Sequence, residues 1–335
     1  MAKSSHSKSK KQNQFIRVEY FFAFVPLLIS LLVLAAYFLF AFKNETGYTQ
    51  DIKLGKENGK KIEDHRIDIK PSFYPQKKEG SVEPVFTAKA VMAIDLGSGT
   101  VLYQKNEETP LWPASTTKLM TALVVLDNFP LDSVFTVGVP VQDGRIMDLI
   151  PDEKITVENL LYGLLVHSAN DAAFALAENY PGGMEVFVSE MNKKALELSL
   201  ENTHFVNPAG FDDVKQYSTA KDLARLSVFA LKNKTIAKIV SPPAITVHDV
   251  DFKYFHPLTT VNKLLGVVPG VAGVKTGWTE NAKENLINLT KRDGKEILTV
   301  VLGSDDRFSE TQILTDWVFN SFSWLDFSYQ PKKDQ

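Results

Sequence analysis

The 335-residue sequence contains no cysteine. This absence excludes disulfide bonds, thiolate metal sites and a cysteine nucleophile. A large charge of one sign is also missing, because the formal net charge is only −3. The composition therefore predicts no nucleic-acid partner. The six histidines show no metal-ligand spacing such as His-Glu-x-x-His, so we predict neither a metal nor a cofactor.

One long uncharged run is present near the amino terminus, over residues 20–42 (Tyr20 to Phe42). It exceeds the ~20 apolar residues that a membrane-spanning helix needs. The run ends in bulky residues rather than in the small residues of a signal-peptide cleavage site, which predicts an uncleaved anchor. Residues 1–19 are rich in lysine. This basic tail predicts a cytoplasmic amino terminus and an extracytoplasmic position for the rest of the chain.

The remaining sequence divides into three parts. Residues 43–84 are charged, contain prolines and show little periodicity, which predicts a linker. Residues 85–327 have the texture of one globular domain, and residues 328–335 form a polar tail. Within the domain, strand patterns lie near both chain ends and helical patterns lie between them. This order predicts an α+β fold, in which both ends of the domain build one sheet around a helical insert.

The segment 115–118 carries the first candidate chemistry, because positions i and i+3 of a helix are neighbours. Ser115 and Lys118 would face each other across one turn, at a helix start indicated by Pro113. Desolvation would lower the pKa of Lys118 enough for it to act as a base. The same spacing also begins at other serines and alone more often marks a solvated, capped helix. Those other serines are Ser5, Ser7 and Ser218.

Two further motifs each occur once in the chain. Ser168 and Asn170 form a Ser-x-Asn break between two apolar helical runs, which could equally be an ordinary helix cap. Lys275, Thr276 and Gly277 lie in an apolar strand punctuated by glycine. A lysine and a threonine there could hold a carboxylate, and the glycine predicts close approach of a ligand or of another backbone. The alternative is an edge strand protected by lysine.

The three motifs, met in this order, are the set of serine-active penicillin-binding enzymes. The chain resembles the low-molecular-mass penicillin-binding proteins, the D-alanyl-D-alanine carboxypeptidases. The resemblance extends over segment 112–123 around Ser115 and covers essentially all of residues 85–325. Further blocks of similarity are 203–210, 217–220 and 291–294. It implies the β-lactamase/transpeptidase-like fold, with an antiparallel sheet flanked by helices and an all-helical subdomain, preceded here by one transmembrane helix.

The resemblance also implies a mechanism and partners. Ser115 would attack the bond between two terminal D-alanines of a peptidoglycan pentapeptide, and β-lactams would be covalent inhibitors of the same serine. Lys118 would be the general base, and Ser168 would relay a proton to the leaving amine. The substrate would be bound by Asn170, Lys275, Thr276, Gly277 and Trp278, with the backbone N–H groups of Ser115 and Trp278 holding the oxyanion.

Departures from the family pattern occur at the rim of the expected site. The family usually has histidine at the position of Ala209 and glycine at that of Ala169, and the stretch 282–285 differs from its Ala-Gly-x-Cys segment. The family's common carboxy-terminal β domain is missing, and the amino-terminal span would take over anchoring. These differences concern substrate preference rather than the nucleophile.

Several rival functions share features of this sequence. A DD-endopeptidase acting on peptidoglycan cross-links would use the same machinery, and a wall-binding or β-lactam-sensing ectodomain would acylate without turnover. A class A β-lactamase needs an additional glutamate, but the residues after Glu201 do not fit that motif. The segment 94–100 is similar to the phosphate loop of actin-type ATPases, although a hairpin turn explains its glycines.

Overall fold

The computed structural model describes residues 73–326. Within this range the chain forms eleven strands and seven α-helices. The strands are β1 (Phe73–Lys77), β2 (Ala90–Asp95), β3 (Val101–Lys105), β4 (Val134–Thr136), β5 (Lys154–Thr156), β6 (Ala244–His248), β7 (Phe255–Thr259), β8 (Val271–Thr279), β9 (Lys283–Arg292), β10 (Lys295–Ser304) and β11 (Phe322–Asp326). The helices are α1 (Lys118–Asn128), α2 (Val157–Tyr162), α3 (Asn170–Glu178), α4 (Gly183–Glu197), α5 (Ala220–Lys232), α6 (Lys234–Ile239) and α7 (Arg307–Ser321).

The central layer is a five-stranded antiparallel sheet in the order β3-β2-β10-β9-β8. The amino-terminal strand β2 lies beside the carboxy-terminal strand β10, with Val91 opposite Val301. The predicted sheet built from both ends of the domain is therefore confirmed. Strand β8, which carries the third motif, is an edge of this sheet, so one of its sides is open toward a ligand.

The two faces of the sheet are buried in different cores, because successive strand residues point to opposite sides. On β2, Ala90 and Met92 join the larger core, which includes residues of helices α1 to α6. Val91 and Ala93 join a smaller core with Leu314 and other residues of α7. The sheet is thus the middle layer between the predicted helical insert and the last helix.

Residues 157–239 form the helical subdomain, in which α2, α5 and α6 begin at side-chain caps. The Thr156 hydroxyl accepts from the Asn159 N–H, and the Thr219 hydroxyl accepts from the Asp222 N–H. After α2 the chain widens into one π-helical segment, Gly163–His167, which ends at Ser168. Such π segments are rare and often occur at functional sites. Here the segment delivers the second motif at the start of α3.

The folded domain begins earlier than the predicted boundary at residue 85. Strand β1 pairs antiparallel with β11, and Tyr74 lies opposite Leu325. The Trp317 indole of α7 donates to the Val82 carbonyl at 2.7 Å. The predicted linker over 43–84 is therefore wrong at its carboxy-terminal end. The proline-containing strand shows no apolar alternation, and its partner lies at the far end of the chain, so no local pattern indicates the pairing.

The other predicted segments lie outside the described residues. These are the basic tail 1–19, the membrane anchor 20–42, the first part of the linker and the polar tail 328–335. Among residues 73–326, no helix combines the length and the apolar character needed to cross a membrane.

Candidate active site

The first motif lies where a short 3₁₀ turn, Ala114–Thr117, runs into α1. Ser115 is half-buried in this turn, and Lys118 is fully buried directly below it. The Lys118 ammonium nitrogen lies 3.0 Å from the Ser115 hydroxyl, as the i, i+3 spacing predicts. It also lies 2.7 Å from the Asn170 side-chain oxygen and 2.7 Å from the Ala209 carbonyl oxygen.

This arrangement favours a neutral Lys118. Burial lowers its pKa from 10.5 to about 7, although the charge of Asp171 counteracts the shift. The oxygens of Asn170 and Ala209 can only accept hydrogen bonds. A neutral amine has two N–H groups, which these two oxygens take up, and its lone pair is then left for the Ser115 hydroxyl. The geometry is that of a base next to its nucleophile.

The second motif is held in a strained conformation. Ser168 has a left-handed backbone, with φ of +62°, which serine rarely adopts. Its hydroxyl accepts a 2.7 Å hydrogen bond from Lys275 on strand β8. The structure therefore brings the second and third motifs into direct contact, across 107 residues of sequence.

Asn170 is clamped by the loop 143–150. Its backbone N–H donates to the Arg145 carbonyl at 2.7 Å, and its side-chain nitrogen donates to the Asp143 carbonyl at 2.8 Å. Because a carboxamide nitrogen has two N–H groups, one remains available to a ligand. The oxygen of the same amide accepts from Lys118, so Asn170 joins the first motif to the cleft wall.

The third motif forms the opposite wall. Gly277 lies against the nucleophile turn, and a Cβ there would stand 3.0 Å from the Pro113 carbonyl and 3.2 Å from the Ser115 nitrogen. The predicted close backbone approach at this glycine is confirmed. Trp278 follows on the rim, with 62% of its surface exposed.

All three motifs border one cleft of about 680 Å³. It is lined by Ser115, Ser168, Asn170, Thr276, Gly277 and Trp278. The two lysines of the motifs are buried below this lining. The structure thus brings every predicted site residue together.

Two arginines in the cleft were missed by the sequence analysis. Arg307, the first residue of α7, donates to the Gly277 carbonyl at 2.7 Å, and its buried Nε has no hydrogen-bond partner. Arg145 lines the facing wall. Burial lowers the pKa of Lys275 well below 10.5, and the nearby charges of Lys118, Arg307 and Arg145 add to the effect. Three further basic side chains therefore lie near Lys275. Neither arginine belongs to a recognisable local motif.

The departures from the family pattern are accommodated in the structure. Ala209 contacts Lys118 through its backbone oxygen, which any residue at that position provides. Ala169 is fully buried, so its methyl group packs in the core. Glu201 is exposed and is not among the residues lining the cleft. Within residues 73–326, no cluster of three or more His, Asp or Glu side chains could hold a metal ion.

Comparisons with known proteins agree with this geometry. Residues 77–306 match the model of the D-alanyl-D-alanine carboxypeptidase family. The D-alanyl-D-alanine carboxypeptidase DacF of Bacillus subtilis is 34% identical over 261 residues, which are 75% of this chain and 67% of that protein. A D-alanyl-D-alanine endopeptidase of Pseudomonas aeruginosa is 32% identical over 256 residues, 74% of this chain and 82% of that protein.

The solved structures give the same result for the fold. The crystal structure of the Streptomyces K15 DD-transpeptidase superimposes with a TM-score of 0.68 at 34% identity. The match covers 71% of this chain and 99% of that one. Nearly every residue of that transpeptidase chain therefore has a counterpart in the matched part of this chain.

Proposed function

This chain belongs to the D-alanyl-D-alanine carboxypeptidase family, and from that premise we propose that Ser115 is the nucleophile of a serine-type D-Ala-D-Ala carboxypeptidase. The enzyme removes the terminal D-alanine from peptidoglycan stem peptides through an acyl-enzyme, and penicillin acylates the same serine. The observation that carries the assignment is the buried Lys118 amine, 3.0 Å from the Ser115 hydroxyl.

Acylation begins with transfer of the Ser115 proton to Lys118. A pKa of about 7 leaves a large fraction of Lys118 neutral near neutral pH, and a general base works best with a pKa near the working pH. The Ser115 oxygen then attacks the carbonyl carbon between the two D-alanines. The oxyanion that forms is bound by the backbone N–H groups of Ser115 and Trp278. These groups lie on the nucleophile turn and on β8, which meet where Gly277 contacts the turn.

The substrate carboxylate supplies a negative charge beside the basic side chains near Lys275. Lys275 and Thr276 on β8 bind this carboxylate. Arg307, which lines the cleft and donates to the Gly277 carbonyl, adds its positive charge. Charge-assisted hydrogen bonds to a buried carboxylate are strong. A bound carboxylate also offsets the repulsion among the cations, so the pKa of Lys275 rises toward its ordinary value when substrate binds.

The second motif acts on the leaving group and on the retained acyl part. The Ser168 hydroxyl, held by Lys275, relays a proton to the departing D-alanine amine. This is the proton that Lys118 took from Ser115, so both Ser168 and Lys118 end the step as they began it. The free N–H of the Asn170 amide binds the carbonyl of the acyl part. Water then hydrolyses the acyl-enzyme, and a β-lactam follows the same path but leaves slowly.

An endopeptidase activity on peptide cross-links is the second candidate. A Pseudomonas aeruginosa relative carries that name, and so does one of Escherichia coli. The ratio of D-alanine release from a pentapeptide to cleavage of a purified cross-linked dimer separates the two functions.

We also propose that residues 20–42 anchor the protein in the cell membrane, with the amino terminus in the cytoplasm and the catalytic domain outside. The uncharged run and the basic segment before it support this orientation. Protease treatment of intact spheroplasts tests it. Cleavage of the catalytic domain is expected, whereas protection until the cells are lysed would reverse the orientation.

The first test of the enzyme is the intact mass of the full-length chain after mixing with a penicillin. One covalent adduct is expected on the wild type and none on Ser115→Ala. Catalytic release of D-alanine from a muramyl pentapeptide then distinguishes the enzyme from a sensor that acylates once. A folded wild-type protein without an adduct would leave a wall-binding ectodomain as the better interpretation.

A further inference from the structure

We propose that His256 and Glu153, which lie outside the cleft lining, are positioning residues for Asn170. They act through the loop 143–150, whose backbone holds Asn170 from one side. The proposal rests on the function proposed above, because it concerns the same acylation site. Neither residue belongs to the three motifs, and no local pattern in the sequence connects them.

His256 and Glu153 form a buried pair behind the loop. His256, on β7, is 3% exposed, and its Nε2 lies 2.8 Å from a carboxylate oxygen of Glu153, whose side chain is inaccessible. The other ring nitrogen, Nδ1, lies 2.8 Å from the Met147 carbonyl oxygen. A carbonyl oxygen can only accept, so Nδ1 must carry a proton. A protonated ring donates to both partners at once.

Both backbone polar groups of Met147 are hydrogen-bonded to buried side chains. Its carbonyl accepts from His256, and its N–H donates to the carboxylate of Asp171 at 3.0 Å. Asp171 also accepts from the Leu149 N–H. The loop is therefore fixed between a cationic ring on β7 and an anion that immediately follows Asn170 in the chain.

The same loop reaches the catalytic network within a few residues. The carbonyls of Asp143 and Arg145 accept both Asn170 hydrogen bonds described above. Between them, Gly144 lies so close that a Cβ would stand 2.7 Å from the Asn170 side-chain nitrogen. A shift of the Met147 peptide therefore moves the groups that orient the Asn170 amide, whose oxygen contacts Lys118.

The charge of the ring determines whether the link to Met147 exists. Burial alone would lower the pKa of His256, but the hydrogen bond and charge of Glu153 outweigh it and raise the pKa above 6.5, with help from Asp171. When the ring loses a proton, the Glu153 carboxylate retains the one on Nε2. The lone pair of Nδ1 then faces the Met147 oxygen, and the link is broken. Positioning is thus present below the raised pKa and lost as the pH rises through it.

Two substitutions separate positioning from simple structural support. The amide nitrogen of His256→Asn occupies roughly the place of Nδ1 and can donate to Met147, but it leaves the Glu153 Oε1 without a donor, while Oε2 keeps the Ile150 N–H. The amide nitrogen of His256→Gln occupies roughly the place of Nε2 and pairs with Glu153, but it abandons Met147. We expect the rate of penicillin acylation of the full-length chain to fall about tenfold in His256→Gln. In His256→Asn it should stay within about threefold of the wild-type rate. The melting temperature should fall more in His256→Asn than in His256→Gln, because a buried carboxylate oxygen without a donor is destabilising.

A second comparison tests the route through Asn170. In an Asn170→Ala background, adding His256→Gln should change the acylation rate little, because the group that it positions is already gone. Acylation rates that follow the melting temperatures, or full additivity of the two substitutions, would overturn the proposal. Both results presuppose a wild type that acylates. A wild type that does not acylate refutes the proposed function instead, so the two failures are distinguishable.

Discussion

Two Ser–Lys pairs, each with a buried lysine, lie at the cleft, and they are built in different ways. Lys118 lies 3.0 Å from Ser115 within a single helical turn. Lys275 lies 2.7 Å from Ser168, but 107 residues separate them in sequence. The second pair joins the sheet to the helical subdomain. The first pair therefore depends on local helix geometry, whereas the second depends on how two layers of the fold dock.

The surroundings of the two lysines also differ. Asp171 raises the pKa of Lys118, so burial lowers it only to about 7. The charges near Lys275 are all positive, and they add to the effect of burial. Similar Ser–Lys contacts therefore have different roles in the two pairs. Lys118 has a pKa suited to proton exchange near neutral pH, whereas Lys275 lies among basic side chains that can bind an anionic group.

The largest expected effect follows from removing the base. Lys118→Met should lower the rate of penicillin acylation by about 10⁴-fold, because general base catalysis is lost while the Ser115 nucleophile remains. The effect should be the same for substrates with and without a free carboxylate. Stopped-flow acylation with a penicillin and with its methyl ester measures both. A loss confined to the free acid would show that Lys118 binds the carboxylate instead.

Lys275→Met should have a smaller effect that depends on the substrate. We expect acylation by the free penicillin to fall about 10²-fold, the equivalent of one lost charge-assisted contact. With the methyl ester, wild type and variant should react at similar, slow rates. An equal loss with both substrates would contradict the assignment of Lys275 to the carboxylate and would indicate a role in proton transfer through Ser168.

The difference between the pairs also explains what the sequence could predict. The i, i+3 spacing of Ser115 and Lys118 indicates their contact directly, because helix geometry fixes it. No spacing indicates the Ser168–Lys275 contact, and the family resemblance predicted only that both residues belong to one site. Arg307 was missed altogether, since it reaches the cleft from the first turn of α7 and depends on the docking of that helix against β8.

The fold shows the same limit. The order of the elements was predicted, with strands near both ends of the domain and helices between them. Strand β1 was not, because its residues 73–77 contain Pro75 and two exposed polar side chains, and their partner strand is at the other end of the domain. Local patterns identify elements that bury an apolar face, but a short strand held mainly by backbone pairing leaves no such pattern.

The Ser115–Lys118 pair depends on one further contact, in which Gly210 packs against the nucleophile turn. Gly210 has a φ of +93°, and a Cβ there would stand 1.9 Å from the Ala114 carbonyl oxygen. Gly210→Ala must therefore displace the nucleophile turn or the neighbouring Ala209 carbonyl, which accepts from Lys118. We expect acylation to fall about 10²-fold, as displacements near 1 Å can do.

Gly294→Ala provides the matched control for this substitution. Gly294 has a φ of +72°, but a Cβ there would meet nothing within 4 Å. It should cost about 1 kcal/mol of backbone strain and leave the acylation rate of the folded protein unchanged. Equal rates in both variants would show that Gly210 does not support the catalytic turn. Circular dichroism melts measured in parallel separate strain from the loss of geometry.

The smallest expected effect concerns stability, where the two lysines should respond with opposite signs. Lys275→Met removes a buried amine whose positive charge is disfavoured by burial and by nearby cations. We expect this gain to outweigh the donor lost to the Ser168 hydroxyl and the Thr276 carbonyl, so the free energy of unfolding at pH 7 should rise by about 1–2 kcal/mol. Lys118→Met leaves the oxygens of Asn170 and Ala209 without a donor and should give no gain or a loss.

The dependence on pH identifies the source of the gain. Because the pKa of Lys275 is depressed in the folded state, the unfolded chain binds more protons below 10.5, and the stability of the wild type rises with pH in that range. The advantage of Lys275→Met should therefore shrink as the pH approaches 10.5. Urea unfolding of both variants at several pH values measures it. A constant advantage would attribute the gain to better packing by methionine, and the cationic cluster would then carry little energetic strain.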